Sequence, residues 1–334
     1  MQMKKQKFTV GIDIGGTNTV FGFVDDEGKF LSGNSIPTET DIDPGKFVSK
    51  LAASIKKMKS NYESDFLLEG IGVAAPSANY FKGTIEAPSN LNWGNVNIVS
   101  ILKEHFDLPI AIINDASAAA LGEFYHGHAK GIKNFIVITL GTGVGAGVFV
   151  DGNLIYGERG LAGELGHIII NHDGRKCNCG RCGCLETYVS ATGMRRTVLE
   201  FLSFYNDRSE LREFTVNQLT GQLISELAGK GDPIAVRAFD FTGQILGRAM
   251  ANLAAYFSPR LIVLFGGLVN SGNLLLEPTK RYFEENLLNV HKGRIQVLIS
   301  KLNNGSGAVL GASSIIKREL LQKSSVNFSH NKVL

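Results

Sequence analysis

All four cysteines of this 334-residue chain fall within eight residues, at Cys177, Cys179, Cys182 and Cys184. Gly180 and Gly183 sit among them and let the backbone fold back, and His167 and His172 lie just upstream. Thiolates and imidazoles at such spacing suit a tetrahedral metal, and the soft donor set selects zinc. Six groups compete for four positions. Spacing alone admits four thiolates, or three thiolates and one histidine. A tetrahedron closed by protein ligands has no open position for water, so the zinc is expected to be structural. It would pin a loop bordered by Glu164, His167 and Glu186. Disulfides are the competing use of such cysteines, and no secretory signal favours them.

A second set of residues suits phosphate chemistry. Two glycine turns follow apolar runs: Gly15-Gly16-Thr17-Asn18 after Phe8–Ile14, and Gly141-Thr142-Gly143 after Asn134–Leu140. Such turns let backbone amides approach phosphate oxygens closely. Neither continues as G-K-[S/T], so neither is a Walker loop. Gly141, Gly143 and Ala146 match G-x-G-x-x-A, but V-F-V-D-G-N follows, a strand and turn where a dinucleotide fingerprint needs a helix. Asp13, at the end of the first apolar run, is expected to hold Mg2+ directly or through water. Asn114-Asp115 stands where a strand becomes a helix. Either residue could cap that helix. Asp115, held ionised by the helix dipole at a strand end, could also be a general base. The two roles can coexist, and the phosphate turns and glutamates elsewhere in the chain favour the base.

The elements that must position these groups are legible as alternating strands and helices. Strands are expected at Phe8–Ile14, Val20–Val24, Leu31–Ser35, Leu68–Ala75, Pro109–Ile113, Asn134–Leu140, Val148–Val150, Arg260–Phe265 and Gln296–Ile299. Helices are expected at Pro44–Lys59, in the alanine-rich run from Asn114, at 209–229 and 232–257, and at Gly307–Leu321. The stretch Pro76–Asn97 reads as a long functional loop with Trp93 as a packing anchor. The tail from Lys323 reads as loose. A strand followed by a glycine turn recurs at 8–16, 135–147 and 260–267. This length predicts two domains; the division expected is 1–114, completed by a C-terminal helix at 307–322, and 115–306, the latter carrying the zinc loop 164–186. With 34 basic and 31 acidic residues interspersed, no nucleic-acid or membrane partner is expected. No apolar run approaches the roughly 18 residues of a membrane span, and a cytoplasmic protein is expected.

Taken together, D-I-G-G-T-N at 13–18, N-D-A at 114–116, L-G-T-G-V-G-A-G at 140–147, E-L-G-H at 164–167 and C-N-C-G-R-C-G-C-L-E at 177–186 resemble the ROK family of bacterial sugar kinases and repressors. The resemblance spans about Val10 to Leu310. It implies an actin-like, ribonuclease H-type pair of α/β domains with ATP and sugar in the cleft between them. It assigns Asp13 and Gly15, Gly16, Thr17 and Asn18 to the first phosphate motif, Gly141, Thr142, Gly143 and Gly145 to the second, and Gly266-Gly267 to the adenosine loop. Asp115 matches the catalytic base, and Asn114, Glu164, His167 and Glu186 match sugar-hydroxyl ligands. The family's zinc ligands match His167, Cys177, Cys179 and Cys184, which leaves Cys182 and His172 free. A homodimer is the family's common assembly.

Two departures bear on the sugar. Ala75-Pro76-Ser77 replaces the family's A-P-G, and Ser89 and Asn90 compete for the place of an asparagine before the tryptophan. The activity implied is ATP-dependent hexose phosphorylation, with glucose first and N-acetylglucosamine, N-acetylmannosamine, mannose and fructose as alternatives. A sugar-sensing repressor is the binding-class alternative. Such repressors carry a DNA-binding domain before the D-I-G-G motif, where only about seven residues precede the first strand here, and this favours the kinase.

Overall fold

The computed structural model describes residues 6–62, 66–88, 91–302 and 307–330. They form two compact units. The first begins with three antiparallel strands, β1 (Gln6–Ile14), β2 (Asn18–Asp25) and β3 (Phe30–Pro37). Helix α1 (Pro44–Lys59) follows, started by Asp43, whose carboxylate caps the Lys46 amide, and by Pro44 in the first turn. Its Phe47, Val48, Leu51, Ala52 and Ile55 are buried, the spacing of one helical face. Then come β4 (Phe66–Ala75), the small hairpin β5 (Ala78–Asn79) and β6 (Thr84–Ile85), α2 (Ile98–Lys103), β7 (Ile110–Asn114) and α3 (Asp115–His126). Sheet order is β3-β2-β1-β4-β7, with β4 and β7 parallel to β1. The C-terminal helix Gly307–His330 belongs to this unit. It lies so close to the sheet that a Cβ on Gly11 or Gly72 would come within 2.0 Å or 1.9 Å of its Val309 or Ala312 carbonyl oxygen. Only glycine fits there.

The second unit repeats the plan. Strands β8 (Phe135–Leu140), β9 (Val144–Val150) and β10 (Asn153–Leu154) are antiparallel. Helices α4 (Glu186–Val189), α5 (Ala191–Phe204), α6 (Gly221–Gly229) and α7 (Pro233–Phe257) lead to β11 (Leu261–Phe265), α8 (Asn273–Asn286) and β12 (Gln296–Ile299). Sheet order is β10-β9-β8-β11-β12, with β11 and β12 parallel to β8. The recurrence seen in the sequence therefore has two meanings. At 8–16 and 135–147 the glycine turn closes an antiparallel hairpin. At 260–267 it ends a parallel strand.

Several expectations are corrected. Residues 209–229 are not one helix: a 3-10 turn at Glu210–Glu213 is separated from α6. Gln218 Oε1 accepts from the Thr215 amide (2.9 Å), and Thr220 caps α6 at the Leu223 amide. These side-chain bonds offer the backbone an alternative to a helix. Helices α2, α4, α5 and α8 are additional elements, and Pro278 inside α8 masks that helix in the sequence. The C-terminal helix continues to His330 instead of giving way to a loose tail at Lys323. The expected boundary after residue 114 falls inside the first unit, which runs to Lys130 and also includes Ile155–Ala162. Helix α3 packs on the C-terminal helix there, with Gly311 against the Ala118 carbonyl.

Candidate functional site

In the first unit the parallel strands β1, β4 and β7 bring their ends to one edge. Asp13 pairs alongside Ala74, and Ala75 alongside Asn114. This is the edge at which open α/β sheets bind ligands, and it joins Asp13 to Asp115. Asn114 caps α3, its Oδ1 accepting from the Ala116 amide at 2.9 Å. Asp115 is the first helical residue and shares that amide at 2.7 Å. It is surface-accessible, yet desolvation of its carboxyl outweighs the stabilising amides of Ala116 and Asp115 and raises its pKa. Desolvation thus works against the helix start, whose amides favour the ionised form.

Burial and, second, the Asp115 charge push the Asp13 carboxyl up to about 7. A buried carboxyl raised in this way, beside a second negative charge, is one that a hard divalent cation such as Mg2+ would compensate. The sign of the stability effect follows. The folded pKa exceeds the ordinary 3.8, so the folded state holds the proton more tightly, and stability is lost as pH rises through that interval. Asp13→Asn is expected to stabilise the ligand-free protein by about 1–3 kcal/mol at roughly pH 8 and to leave it unchanged near pH 4. Calorimetry at the two pH values checks this, and an equal shift at both would remove the assignment.

The Gly15–Asn18 turn is held from behind by Thr38, which the sequence did not single out. Its hydroxyl donates to the Gly15 carbonyl (2.7 Å), its amide donates to the Thr17 carbonyl (2.9 Å), and its Oγ1 lies 3.0 Å from the Thr19 hydroxyl. Ser77, which replaces the family's glycine, has φ 52°. The backbone thus adopts the left-handed conformation with a side chain present. Trp93 is 9% exposed and packs on Phe47 at 4.9 Å, the anchor the sequence suggested. Ser89 and Asn90 lie outside the described residues.

In the second unit Gly141-Thr142-Gly143 links β8 to β9, and the Gly141 amide bonds the Gly143 carbonyl at 3.0 Å. Gly145 lies within β9, where its amide donates to Thr139 Oγ1 at 3.2 Å. Gly266 ends the neighbouring strand β11 against the Leu140 backbone, and Gly267 opens a 3-10 turn. The two glycine segments are therefore adjacent.

His167, Cys177, Cys179 and Cys184 bring their ligand atoms within 4.8 Å of one another. His167 Nδ1 is 3.7 Å from Cys177 Sγ, and Cys179 Sγ is 3.6 Å from Cys184 Sγ. Zinc–thiolate bonds of about 2.3 Å place tetrahedral donors roughly 3.8 Å apart, so the group fits zinc. Cys182 and His172 are exposed and stand outside the group. With Nδ1 toward the thiols, His167 Nε2 faces Glu164 at 3.8 Å. Arg175 fastens the same loop without a metal. It donates to the Thr187 carbonyl, Thr197 Oγ1 and Glu200, and lies over the Tyr188 ring at 4.5 Å. Nothing in its spacing singles it out. Glu186, just past the last cysteine, accepts from the Val144 amide at 3.0 Å.

Comparison with known proteins agrees with this arrangement. The ROK family model matches residues 9–319. The glucokinase of Halalkalibacterium halodurans is 34% identical over 94% of this chain and 96% of its own length. A Streptomyces griseus ROK family glucokinase, solved with glucose and AMPPNP, is 31% identical and superposes with a TM-score of 0.80 over 92% of this chain and 98% of that one. A ROK family transcriptional regulator, a homologue of the E. coli MLC protein, is 26% identical with a TM-score of 0.83 over 95% of this chain and 80% of its own. The fold is that of the actin-like ATPases, and the chain belongs to the ROK family.

Proposed function

We propose that the protein is an ATP-dependent glucokinase that forms glucose 6-phosphate. The observation that carries this reading is the meeting of Asp13 and Asp115 at one sheet edge, in a chain whose relatives of known structure include a glucokinase holding glucose and AMPPNP. Asp115 is the general base: it accepts the proton of the attacking hydroxyl as that oxygen bonds the γ-phosphorus and the bond to ADP breaks. The amides of the Gly15–Asn18 and Gly141–Gly143 turns cradle the phosphates, and Gly266-Gly267 lie against the adenosine. Mg2+, held by Asp13 directly or through water, would neutralise charge on the transferred group. Asn114, Glu164, His167 and Glu186 bond the sugar hydroxyls, and Ser89 and Asn90 are assigned to the same set. Zinc on His167, Cys177, Cys179 and Cys184 does no chemistry. It would hold the loop that presents His167 and Glu186.

No helix among the described residues is long and apolar enough to cross a membrane. The resemblance supports a cytoplasmic homodimer, which light scattering tests. The experiment for the activity is kcat/KM with ATP across glucose, N-acetylglucosamine, N-acetylmannosamine, mannose and fructose, with the phosphorylated carbon located by NMR. Glucose is expected to rank first, phosphorylated at carbon 6. Preference for another hexose replaces the substrate but keeps the reaction. Binding of sugar without phosphoryl transfer favours the second reading, a sugar-sensing regulator, which the likeness to the ROK family regulator supports.

A further inference from the structure

The segment that leaves the zinc loop is bonded to the phosphate turn at three successive places. The Val144 amide donates to Glu186 Oε2 at 3.0 Å, the Ala191 amide donates to the Gly141 carbonyl at 2.9 Å, and Thr192 Oγ1 donates to the Thr142 carbonyl at 3.4 Å. The carboxylate lies directly over the turn: a Cβ on Gly143 would come within 2.6 Å of Glu186 Oε2. Glycine at 143 therefore does more than free the backbone. It makes the seat in which the carboxylate reaches the turn amide. Glu186 Oε1 makes no hydrogen bond among the described residues, so half of the carboxylate stays open to a ligand hydroxyl.

We propose that Glu186 is a positioning residue for the nucleotide's phosphate turn as well as a sugar ligand. One oxygen fixes the turn and the other takes a sugar hydroxyl, so one side chain joins carbohydrate recognition to phosphate recognition. This rests on the reading of Gly141–Gly143 as a phosphate turn. A charge-assisted bond to a backbone amide is among the stronger hydrogen bonds. Losing it releases the Val144 amide and loosens the turn before any sugar arrives. A side chain that serves the sugar alone has no such effect.

The test is AMPPNP affinity by calorimetry with no sugar present, in the zinc-loaded protein, for wild type, Glu186→Ala and Glu186→Gln. Glutamine keeps an oxygen that can accept from the Val144 amide, and alanine does not. The expected result is roughly tenfold weaker nucleotide binding for Glu186→Ala and a change within about twofold for Glu186→Gln. Should the alanine variant fail to fold, Glu186→Met keeps the length, cannot accept, and is expected to behave as alanine does. Unchanged or tighter nucleotide binding in the variants without an acceptor overturns the inference, as does a glutamine variant as weak as alanine. Wild-type protein that binds no nucleotide removes the phosphate-turn reading itself, and is distinguishable from those results.

Discussion

Replacing Asp115 by asparagine is expected to lower kcat by about 10²–10⁴-fold while glucose still binds. Asparagine keeps the shape and can still accept from the Ala116 amide that Asp115 bonds at 2.7 Å, so the helix start survives. It cannot accept the proton of the attacking hydroxyl. The expected loss therefore falls on the chemical step, and glucose affinity measured by calorimetry stays near the wild-type value. The pH dependence carries the same signature. Local desolvation of the carboxyl, in a residue whose surface is otherwise accessible, raises Asp115 above the ordinary carboxylate range, and a base works only when deprotonated. The acidic limb of kcat/KM in the wild type should lie at higher pH than an ordinary aspartate gives, and it should vanish from the residual rate of the variant. Parallel loss of glucose binding, or a variant that turns over at the wild-type rate, would take the base assignment away.

Removing the metal is the second large effect. Structural zinc contributes about 10–16 kcal/mol of binding energy in isolated finger peptides. This loop has other fastenings, which lower the share that depends on metal. Arg175 ties it to α5, and bridges at Ile169–Cys184 and Lys176–Cys182 align its two sides. A strong chelator, or Cys179→Ala, is expected to lower the melting temperature by roughly 5–10 °C and to raise KM for glucose more than it lowers kcat. The reason for the split is position: the cluster includes His167 and lies two residues before Glu186, whereas Asp13 and Asp115 belong to the other unit. Cys182→Ser serves as the control, since that thiol stands outside the group, and it should retain the metal. Metal content by mass spectrometry, read beside the melting curve, checks both variants. Full activity with wild-type KM in metal-free protein would remove zinc from the scheme.

The sequence by itself determined the residue types and the alternation that carries them. A β-strand must present apolar side chains at close intervals, and a glycine turn must follow wherever the backbone doubles back. Both are local requirements, so the ends of β1 and β8 were readable, whereas β7 runs one residue past the expected Ile113, to Asn114, and passes directly into α3. The presence of a metal-binding cluster was readable for the same reason, because four thiols fall within eight residues. Which four groups meet was decided only in three dimensions. His167 lies ten residues before Cys177 and joins the group, whereas Cys182, two residues before Cys184, does not.

Tertiary structure also decided what no local pattern encodes. Asp13 and Asp115 share an edge because β4 lies between β1 and β7; desolvation raises both carboxyls, and the Asp115 charge raises Asp13 further. Thr38 behind the first turn and Arg175 behind the zinc loop act through hydrogen bonds to distant backbone, for which a sequence has no periodic signature. The same is true of Glu186 over Gly143. The sequence marks both residues as notable. Only the fold, by bringing the start of α4 against the β8–β9 turn, makes the one a seat for the other, because hydrogen bonds form by proximity in space and the chain's order does not record it.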